Sequence, residues 1–291
     1  MARTVFLGTS DFAAAILARL AAGPHRPQLV VTRPDRPAGR GRRLSAPPVA
    51  IAARELELEL AQPESVNADD ACAQIAVAQP EAVIVCAFGA LIREPLLSAF
   101  PMLNVHPSLL PRWRGAAPVE RAIMAGDDET GVCIMHLTAG LDSGPVCAVG
   151  REPIGPADTY GTLTQRLQEL GADLLSRVLD ERPDCAQQTE EDVTYAEKIG
   201  PADRTLDPTA PGAVNDRVVR ALTPHIGARV ALADGSFLGV GRAALREPGV
   251  PGELRADGDR LLLGGLELLE VQPSGGRPMD AAAYLRGHTR T

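Results

Sequence analysis

The stretch AVIVCAFG, residues 82–89, decides the fold class. Its apolar residues follow one another without a polar break, which is typical of a strand buried on both faces of a parallel sheet. Short strand-like runs also occur at TVFLG (4–8), QLVVT (28–32) and MLNVH (102–106), and segments with helical spacing separate them, including 47–60 and 159–180. This alternation predicts an α/β fold with an open, mostly parallel sheet.

The character of the chain changes after residue 180. Residues 181–212 are polar, rich in proline and low in periodicity, which indicates a linker. Beyond it, short apolar runs are separated by Gly, Asp and Pro, a pattern that favours a small β domain, in particular a barrel. We therefore expect three parts: a first domain over 1–187, a linker over 188–209 and a C-terminal domain over 210–291.

Composition limits the classes of function. The chain has 291 residues and a formal net charge of −8, with 45% hydrophobic and 23% charged residues. A protein that binds nucleic acid over its whole surface is usually basic, so any such contact here must be a local patch. The sequence begins directly with a strand pattern, and no apolar run approaches the roughly 18 residues of a membrane helix. We expect a soluble, cytoplasmic protein with no membrane partner.

The five cysteines form no C-x-x-C pair. Those at positions 86, 133 and 147 lie inside apolar runs, where a free cysteine behaves as a small hydrophobic residue. We therefore expect structural core roles for Cys86, Cys133 and Cys147, and neither metal binding nor redox chemistry for the five cysteines.

A polar pair marks the end of the strand MLNVH. Asn104 and His106 point to the same side because side chains alternate along a strand, and Pro107 stops the strand. Ligands of open α/β sheets bind outside the carboxyl ends of the strands. The ends that carry candidate groups are Phe88–Gly89 and the Asn104–His106 pair, together with the loop GLDSG (140–144).

Several interpretations of these polar residues compete. The simplest is a buried polar pair with satisfied hydrogen bonds. A Ser-His-Asp triad of Ser108, His106 and Asp142 lacks the G-x-S-x-G turn. A metal site of His106, His136 and Asp142 lacks any recognised ligand spacing. A dinucleotide site is not supported, because GTSDFA (8–13) has one glycine where the fingerprint needs three.

The remaining interpretation is acyl transfer to an amine. The oxygen of the donor carbonyl gains negative charge in the tetrahedral state, and an amide N–H such as that of Asn104 stabilises it by about 3 kcal/mol. The imidazole of His106 can add positive charge or move protons. A carboxylate at Asp142 would orient that imidazole and favour its charged form.

Several stretches together resemble the folate-dependent formyltransferases. NVHPSLLPRWRGAAP (104–118) and GLDSG (140–144) carry the resemblance to the family. GTSDFA (8–13), TRPDRPAGRGRRLSAPPV (32–49) and VTYAEKI (193–199) narrow it to the branch that acts on charged initiator tRNA. The resemblance covers nearly the whole chain and is weakest after about residue 210.

The resemblance implies a Rossmann-like formyltransferase domain, a linker and a C-terminal barrel of the OB type. The implied donor is 10-formyltetrahydrofolate, and the implied acceptor is the amino group of methionine on initiator tRNA. We expect no metal, and we predict a monomer. The implied catalytic residues are Asn104, His106 and Asp142. The implied folate contacts are Phe88, Gly89, Ser108, Leu109, Leu110 and Pro111. The implied tRNA contacts are Arg36, Arg40, Arg42 and Arg43.

Rival functions share parts of this pattern. Glycinamide ribonucleotide formyltransferases have a single domain and no arginine loop, and formyltetrahydrofolate hydrolases release formate without an acceptor. Sugar-nucleotide formyltransferases have no need for the five arginines of residues 33–43. A non-catalytic RNA-binding module is disfavoured by the net charge of −8 and by the lack of a stacking-aromatic platform in 213–291.

Overall fold

The computed structural model describes residues 1–38 and 43–288. The chain divides into two compact units. Unit 1 contains residues 1–116, 130–152 and 165–195, and unit 2 contains 117–129, 153–164 and 196–291. Each unit combines segments that are distant in the sequence. The predicted domain boundaries at 187/188 and 209/210 therefore remain a prediction.

Unit 1 is built on a seven-stranded sheet. Its strands are β1 (Thr4–Gly8), β2 (Pro27–Val31), β5 (Leu60–Ala61), β6 (Ala82–Cys86), β7 (Met102–His106), β9 (Glu129–His136) and β10 (Val146–Pro153). Their order is β10-β9-β7-β6-β1-β2-β5. Neighbouring strands in the series β7-β6-β1-β2-β5 are parallel, and β9 runs antiparallel to β7. The predicted Rossmann-like α/β domain with a mostly parallel sheet is confirmed.

Smaller elements complete this part of the chain. The helices are α1 (Asp11–Ala22), α2 (Pro48–Glu55), α3 (Asp69–Val77), α4 (Leu96–Ala99) and α6 (Tyr160–Glu181). Two short strand pairs are formed by β3 (Arg36–Ala38) with β4 (Arg43–Ser45), and by β8 (Arg114–Gly115) with β11 (Tyr195–Ala196).

Burial explains why the central strands are apolar runs in the sequence. Every residue of β1, β6 and β7 is buried, as expected for central strands that are covered on both faces. The turn that follows β1 requires Gly8, since a Cβ atom there would lie 2.6 Å from the Phe6 ring. Ser10 then begins α1 as its N-cap and accepts a hydrogen bond from the Ala13 amide.

Unit 2 packs helices on an antiparallel sheet. Its strands are β12 (Ala228–Ala231), β13 (Phe237–Leu245), β14 (Leu254–Asp257), β15 (Arg260–Leu263), β16 (Leu266–Gln272) and β17 (Met279–Asp280). Their order is β12-β13-β16-β15-β14, with β17 on β16. Its further helices are α5 (Pro118–Ala125), α7 (Gly212–Leu222) and α8 (Ala281–His288). Leucines and valines of the strands and of α7 share one apolar core. This sheet fits the predicted barrel-like C-terminal domain.

The cysteines depart from the expectation. Cys86 and Cys133 are buried core residues, and burial raises the pKa of the Cys133 thiol to about 11. The core role predicted for Cys147 is wrong, because this residue forms a disulfide with Cys185. They are 38 residues apart in the sequence, so no local spacing could indicate the pair. In the described part of the chain no helix combines the length and apolar character needed to cross a membrane.

Candidate active site

The polar pair predicted at the end of β7 is present as expected. β7 lies between β6 and β9 in the sheet, and Asn104 and His106 are 8% and 4% exposed. Two such polar side chains can be buried together only if their hydrogen bonds are satisfied. Their partners therefore define the chemistry of the site.

Asn104 is held by Asp142. Its Nδ2 atom donates a hydrogen bond to one carboxylate oxygen of Asp142 at 3.2 Å, while the other oxygen accepts from the Gly115 amide at 2.9 Å. An amide nitrogen carries two N–H groups. One N–H of Asn104 therefore fixes the side chain, and the second can be directed at a substrate oxygen.

His106 is oriented by a backbone carbonyl. Its Nε2 atom lies 2.9 Å from the carbonyl oxygen of Trp113. Since a carbonyl only accepts, Nε2 carries a proton. The other ring nitrogen, Nδ1, is 3.7 Å from the nearer Asp142 oxygen, which is beyond hydrogen-bond length and within ion-pair range. Nδ1 is thus the ring atom available for proton transfer.

The segment VTYAEKI helps to position that carbonyl. The Trp113 amide donates to Thr194 Oγ1 and the Arg114 amide donates to the Thr194 carbonyl, both at 2.9 Å. Trp113 has a φ of +64°, a left-handed backbone that non-glycine residues rarely adopt. The bonds from Thr194 therefore help to hold an unfavourable conformation that aims the carbonyl at His106.

A clamp that the sequence did not reveal holds the Asp142 loop. Gln188 Nε2 donates to the carbonyl oxygens of Asp142 and Gly144, each at 2.8 Å. Its Oε1 atom accepts from Arg114 Nε at 3.0 Å, and Arg114 is only 3% exposed. Asp142 has a φ of +44°, so the clamp also retains a strained loop residue. Gln188 gave no sequence signal, because it lies in a polar segment predicted to be a linker.

The glycine that ends GLDSG has a packing reason. A Cβ atom on Gly144 would collide with the carbonyl group of His136. The loop between β9 and β10 can therefore approach the end of β9 this closely only with glycine at this position.

The expected folate-contacting residues follow two neighbouring strands. Phe88 and Gly89 come after β6, and Ser108 to Pro111 come after β7, so both groups lie at the same edge of a parallel sheet. Ser108 is fully buried and donates to the Arg112 carbonyl at 2.7 Å. Its hydroxyl therefore supports the loop rather than pointing outward.

The arginine loop is described in part. Arg36 lies in β3 and Arg43 in β4, and these strands form an antiparallel pair. Arg36 has an ion pair with Glu64 at 3.5 Å, and both side chains are largely exposed. Arg40 and Arg42, also predicted to bind tRNA, lie outside the described residues.

Comparisons with known proteins identify the family of the chain. The family model described as "Formyl transferase" matches residues 2–179. Methionyl-tRNA formyltransferases from Roseobacter denitrificans and Halorhodospira halophila are 42% and 43% identical to the chain, over 98% of its length and 95% and 96% of theirs.

Two solved structures share the fold. Methionyl-tRNA formyltransferase from Clostridium thermocellum aligns with a TM-score of 0.64 at 13% identity, covering 92% of this chain and 99% of that one. HypX from Aquifex aeolicus, solved in complex with tetrahydrofolic acid, gives 0.66 at 18% identity over 98% of this chain, which spans 47% of the HypX chain. The chain therefore belongs to the formyl transferase family and, within it, to the methionyl-tRNA formyltransferases.

Proposed function

We propose that the chain transfers the formyl group of 10-formyltetrahydrofolate to the amino group of methionine on charged initiator tRNA, for translation initiation. The observation that carries this proposal is the joint position of Asn104, His106 and Asp142 in a chain whose methionyl-tRNA formyltransferase relatives match it over 98% of its length. Structures that resemble the chain only in fold include sugar formyltransferases, but at 13% to 21% identity they bear on architecture alone.

Asn104 is the residue we assign to the developing negative charge. The methionine amine attacks the formyl carbon, a new C–N bond forms and the bond from that carbon to the folate nitrogen breaks. The second N–H of Asn104 donates to the formyl oxygen, and Asp142 keeps the amide rigid by accepting the first. A donor that is already in place when charge develops is worth about 3 kcal/mol.

His106 is the residue we assign to the proton of the amine. Because Nε2 donates to Trp113, the proton is taken at Nδ1, next to Asp142, and it passes to the folate nitrogen as the bond from that nitrogen to the formyl carbon breaks. The carboxylate stabilises the imidazolium that exists between the two transfers. Asp142 thus serves both partners, through a hydrogen bond to Asn104 and through charge to His106.

We assign the donor pocket to Phe88, Gly89 and the segment Ser108–Pro111. Both groups follow neighbouring parallel strands and lie beside the catalytic pair. Two proteins of the same fold, HypX and a Helicobacter canadensis N-formyltransferase, were solved with tetrahydrofolic acid and with folinic acid respectively. Buried Ser108, tied to Arg112, supports a preformed loop, which loses less entropy on binding.

We assign tRNA contacts to Arg36, Arg40, Arg42 and Arg43. The arginine-rich stretch contrasts with the net charge of −8 of the whole chain. The ion pair of Arg36 with Glu64 is exposed, and such pairs are worth little, so a phosphate can replace the carboxylate. Phosphate contacts give affinity and position rather than sequence discrimination.

The finer architecture is also part of the proposal. We assign an OB-type barrel to residues 210–291, a linker to 188–209 and the catalytic domain to 1–187. The six antiparallel strands that surround a leucine- and valine-rich core support the barrel. We further propose that the protein acts as a monomer in the cytoplasm, where its tRNA substrate is found.

The direct test measures formyl transfer from a labelled donor. Purified protein is given Met-charged initiator tRNA and, separately, Met-charged elongator tRNA. We expect label on the initiator tRNA and much less on the elongator. Asn104→Asp should lower kcat about a hundredfold or more, with folate affinity changed less. Incorporation that is absent, or that is equal in wild type and Asn104→Asp, would reject the assignment.

A further inference from the structure

The cysteine pair is brought together by the backbone. Val146 and Ala186 exchange two hydrogen bonds, of 2.8 and 2.9 Å, in an antiparallel bridge. The next opposed residues are Cys147 and Cys185, a non-hydrogen-bonded pair in which side chains approach closely, and their Cα atoms are 4.0 Å apart. Strand pairing thus brings the two cysteine side chains together.

A histidine completes the cluster. The ligand atoms of His136, Cys147 and Cys185 all lie within 4.8 Å of one another. All three side chains are half-buried and line a cavity of about 280 Å³, together with Leu103 and Leu179. Among residues 1–38 and 43–288, none makes a hydrogen bond to the His136 ring, so no such bond competes with a metal for its nitrogen atoms.

We propose that these three residues form a Zn²⁺ site when the cysteine pair is in the dithiol form. Zn²⁺ binds thiolates at about 2.3 Å and imidazole at about 2.0–2.1 Å in tetrahedral sites. Ligand atoms of such a site are roughly 3.5–3.8 Å apart, so the sulfur atoms must separate from their bonded positions, and the His136 nitrogen, which lies within 4.8 Å of both, adjusts to the same spacing. The fourth coordination position is taken by water, and no step of formyl transfer uses the metal.

The disulfide is converted to the dithiol form by a common reductant. A phosphine reductant cleaves the disulfide, is oxidised to the phosphine oxide with oxygen from water, and leaves two thiols with the two protons of that water. Zn²⁺ then displaces both protons as the thiolates bind it. In a reducing cytoplasm the pair is a dithiol, and the metal form replaces the disulfide.

The position of the cluster gives the metal a structural role. His136 ends β9 and Cys147 lies at the start of β10, so the chain between them is the loop that carries Asp142. Cys185 lies three residues before Gln188, which holds that loop. The metal joins both segments on the face of the sheet opposite Asn104, since Leu103 and its neighbour Asn104 point to opposite faces.

The test titrates Zn²⁺ into the reduced full-length protein, in competition with a chromophoric chelator and without substrate. We expect one Zn²⁺ per reduced chain and none after reoxidation of the pair. Cys147→Ser, Cys185→Ser and His136→Ala should each weaken binding by roughly a hundredfold, at least the loss typical of removing a second-shell partner. The matched control is Cys72→Ser, which changes a half-buried free cysteine outside the cluster and should bind as wild type.

A second measurement needs no variant. Bound Zn²⁺ should slow alkylation of Cys147 and Cys185 in the reduced wild type and leave the rate at Cys72 unchanged. Reduced protein that binds no Zn²⁺, binding that survives both serine substitutions, or equal alkylation with and without metal would overturn the site. None of these readouts depends on formyl transfer, so they separate this proposal from the proposed function.

Discussion

Removal of the Gln188 clamp is the sharpest test of how the site is assembled. Besides the bond of 3.0 Å that Gln188 accepts from Arg114, Gln188→Ala deletes the two hydrogen bonds of 2.8 Å that hold the loop, to the carbonyl oxygens of Asp142 and Gly144. Each such bond contributes about 1 kcal/mol. Their loss frees a loop residue with a φ of +44°, which relaxes because that conformation is itself unfavourable. About 2 kcal/mol of lost positioning corresponds to roughly 30-fold in kcat/KM.

The assay compares formylation kinetics of Gln188→Ala with those of Gln187→Ala. Gln187 is the exposed neighbour, so its substitution controls for a change in the same segment. Gln188→Glu keeps the acceptor for Arg114 and replaces the donor by an oxygen that repels both carbonyl groups, so it should not rescue activity. The reasoning is refuted if Gln188→Ala retains kcat/KM within about twofold, or if Gln187→Ala loses as much.

Three further predictions concern other residues of the chain. Losses in kcat from His106→Ala and Asp142→Asn should be strongly non-additive in the double variant, whereas simple multiplication would show that the two act separately. Arg43→Ala should weaken tRNA binding and reduce the salt slope by about one unit, and an unchanged slope would remove it from the phosphate contacts. The Arg121 guanidinium holds the pKa of Asp203 below its ordinary 3.8, so this pair stabilises the fold above about pH 4 and the contribution is lost as pH falls through the lowered pKa. Thermal denaturation should therefore show Arg121→Ala less stable at pH 7 and nearly equal to wild type in strong acid, and an equal deficit at both pH values would exclude the linkage.

Most of the sheet could be predicted because each central strand is marked by a pattern within its own few residues. The central strands β1, β6 and β7 are buried along their whole length, and a short, unbroken apolar run is typical of a strand covered on both faces. The helix predicted over 159–180 is observed as α6, over Tyr160–Glu181.

The helix predicted over 47–60 was wrong in its second half. α2 ends at Glu55, Glu57 takes a φ of +53°, and Leu60 begins an edge strand beside β2. The alternating Glu and Leu residues at its end fit a strand of period two as well as a helix. Pairing with a distant strand decided between them.

In the candidate site, too, the features that depend on local sequence could be predicted, and those that depend on distant contacts could not. Asn104 and His106 could be identified because alternation and a following proline place them together at a strand end. The carbonyl that orients His106 belongs to Trp113, whose left-handed backbone no sequence pattern announced. Gln188 and the cysteine pair depend on contacts between residues 38 to 74 positions apart. Such contacts exist only once the sheet has formed.

Two residues of the site, Trp113 and Asp142, have a left-handed backbone conformation, and each of them fixes the position of a proposed catalytic side chain. Trp113 presents the carbonyl that fixes the tautomer of His106, and Asp142 presents the carboxylate that fixes Asn104. Each costs energy as a non-glycine residue with positive φ, and each is retained by hydrogen bonds from the segment after α6, through Thr194 and Gln188. A segment with the composition of a polar linker therefore determines the geometry of the proposed catalytic residues, because the strain at Trp113 and Asp142 must be offset by partners outside their own loops.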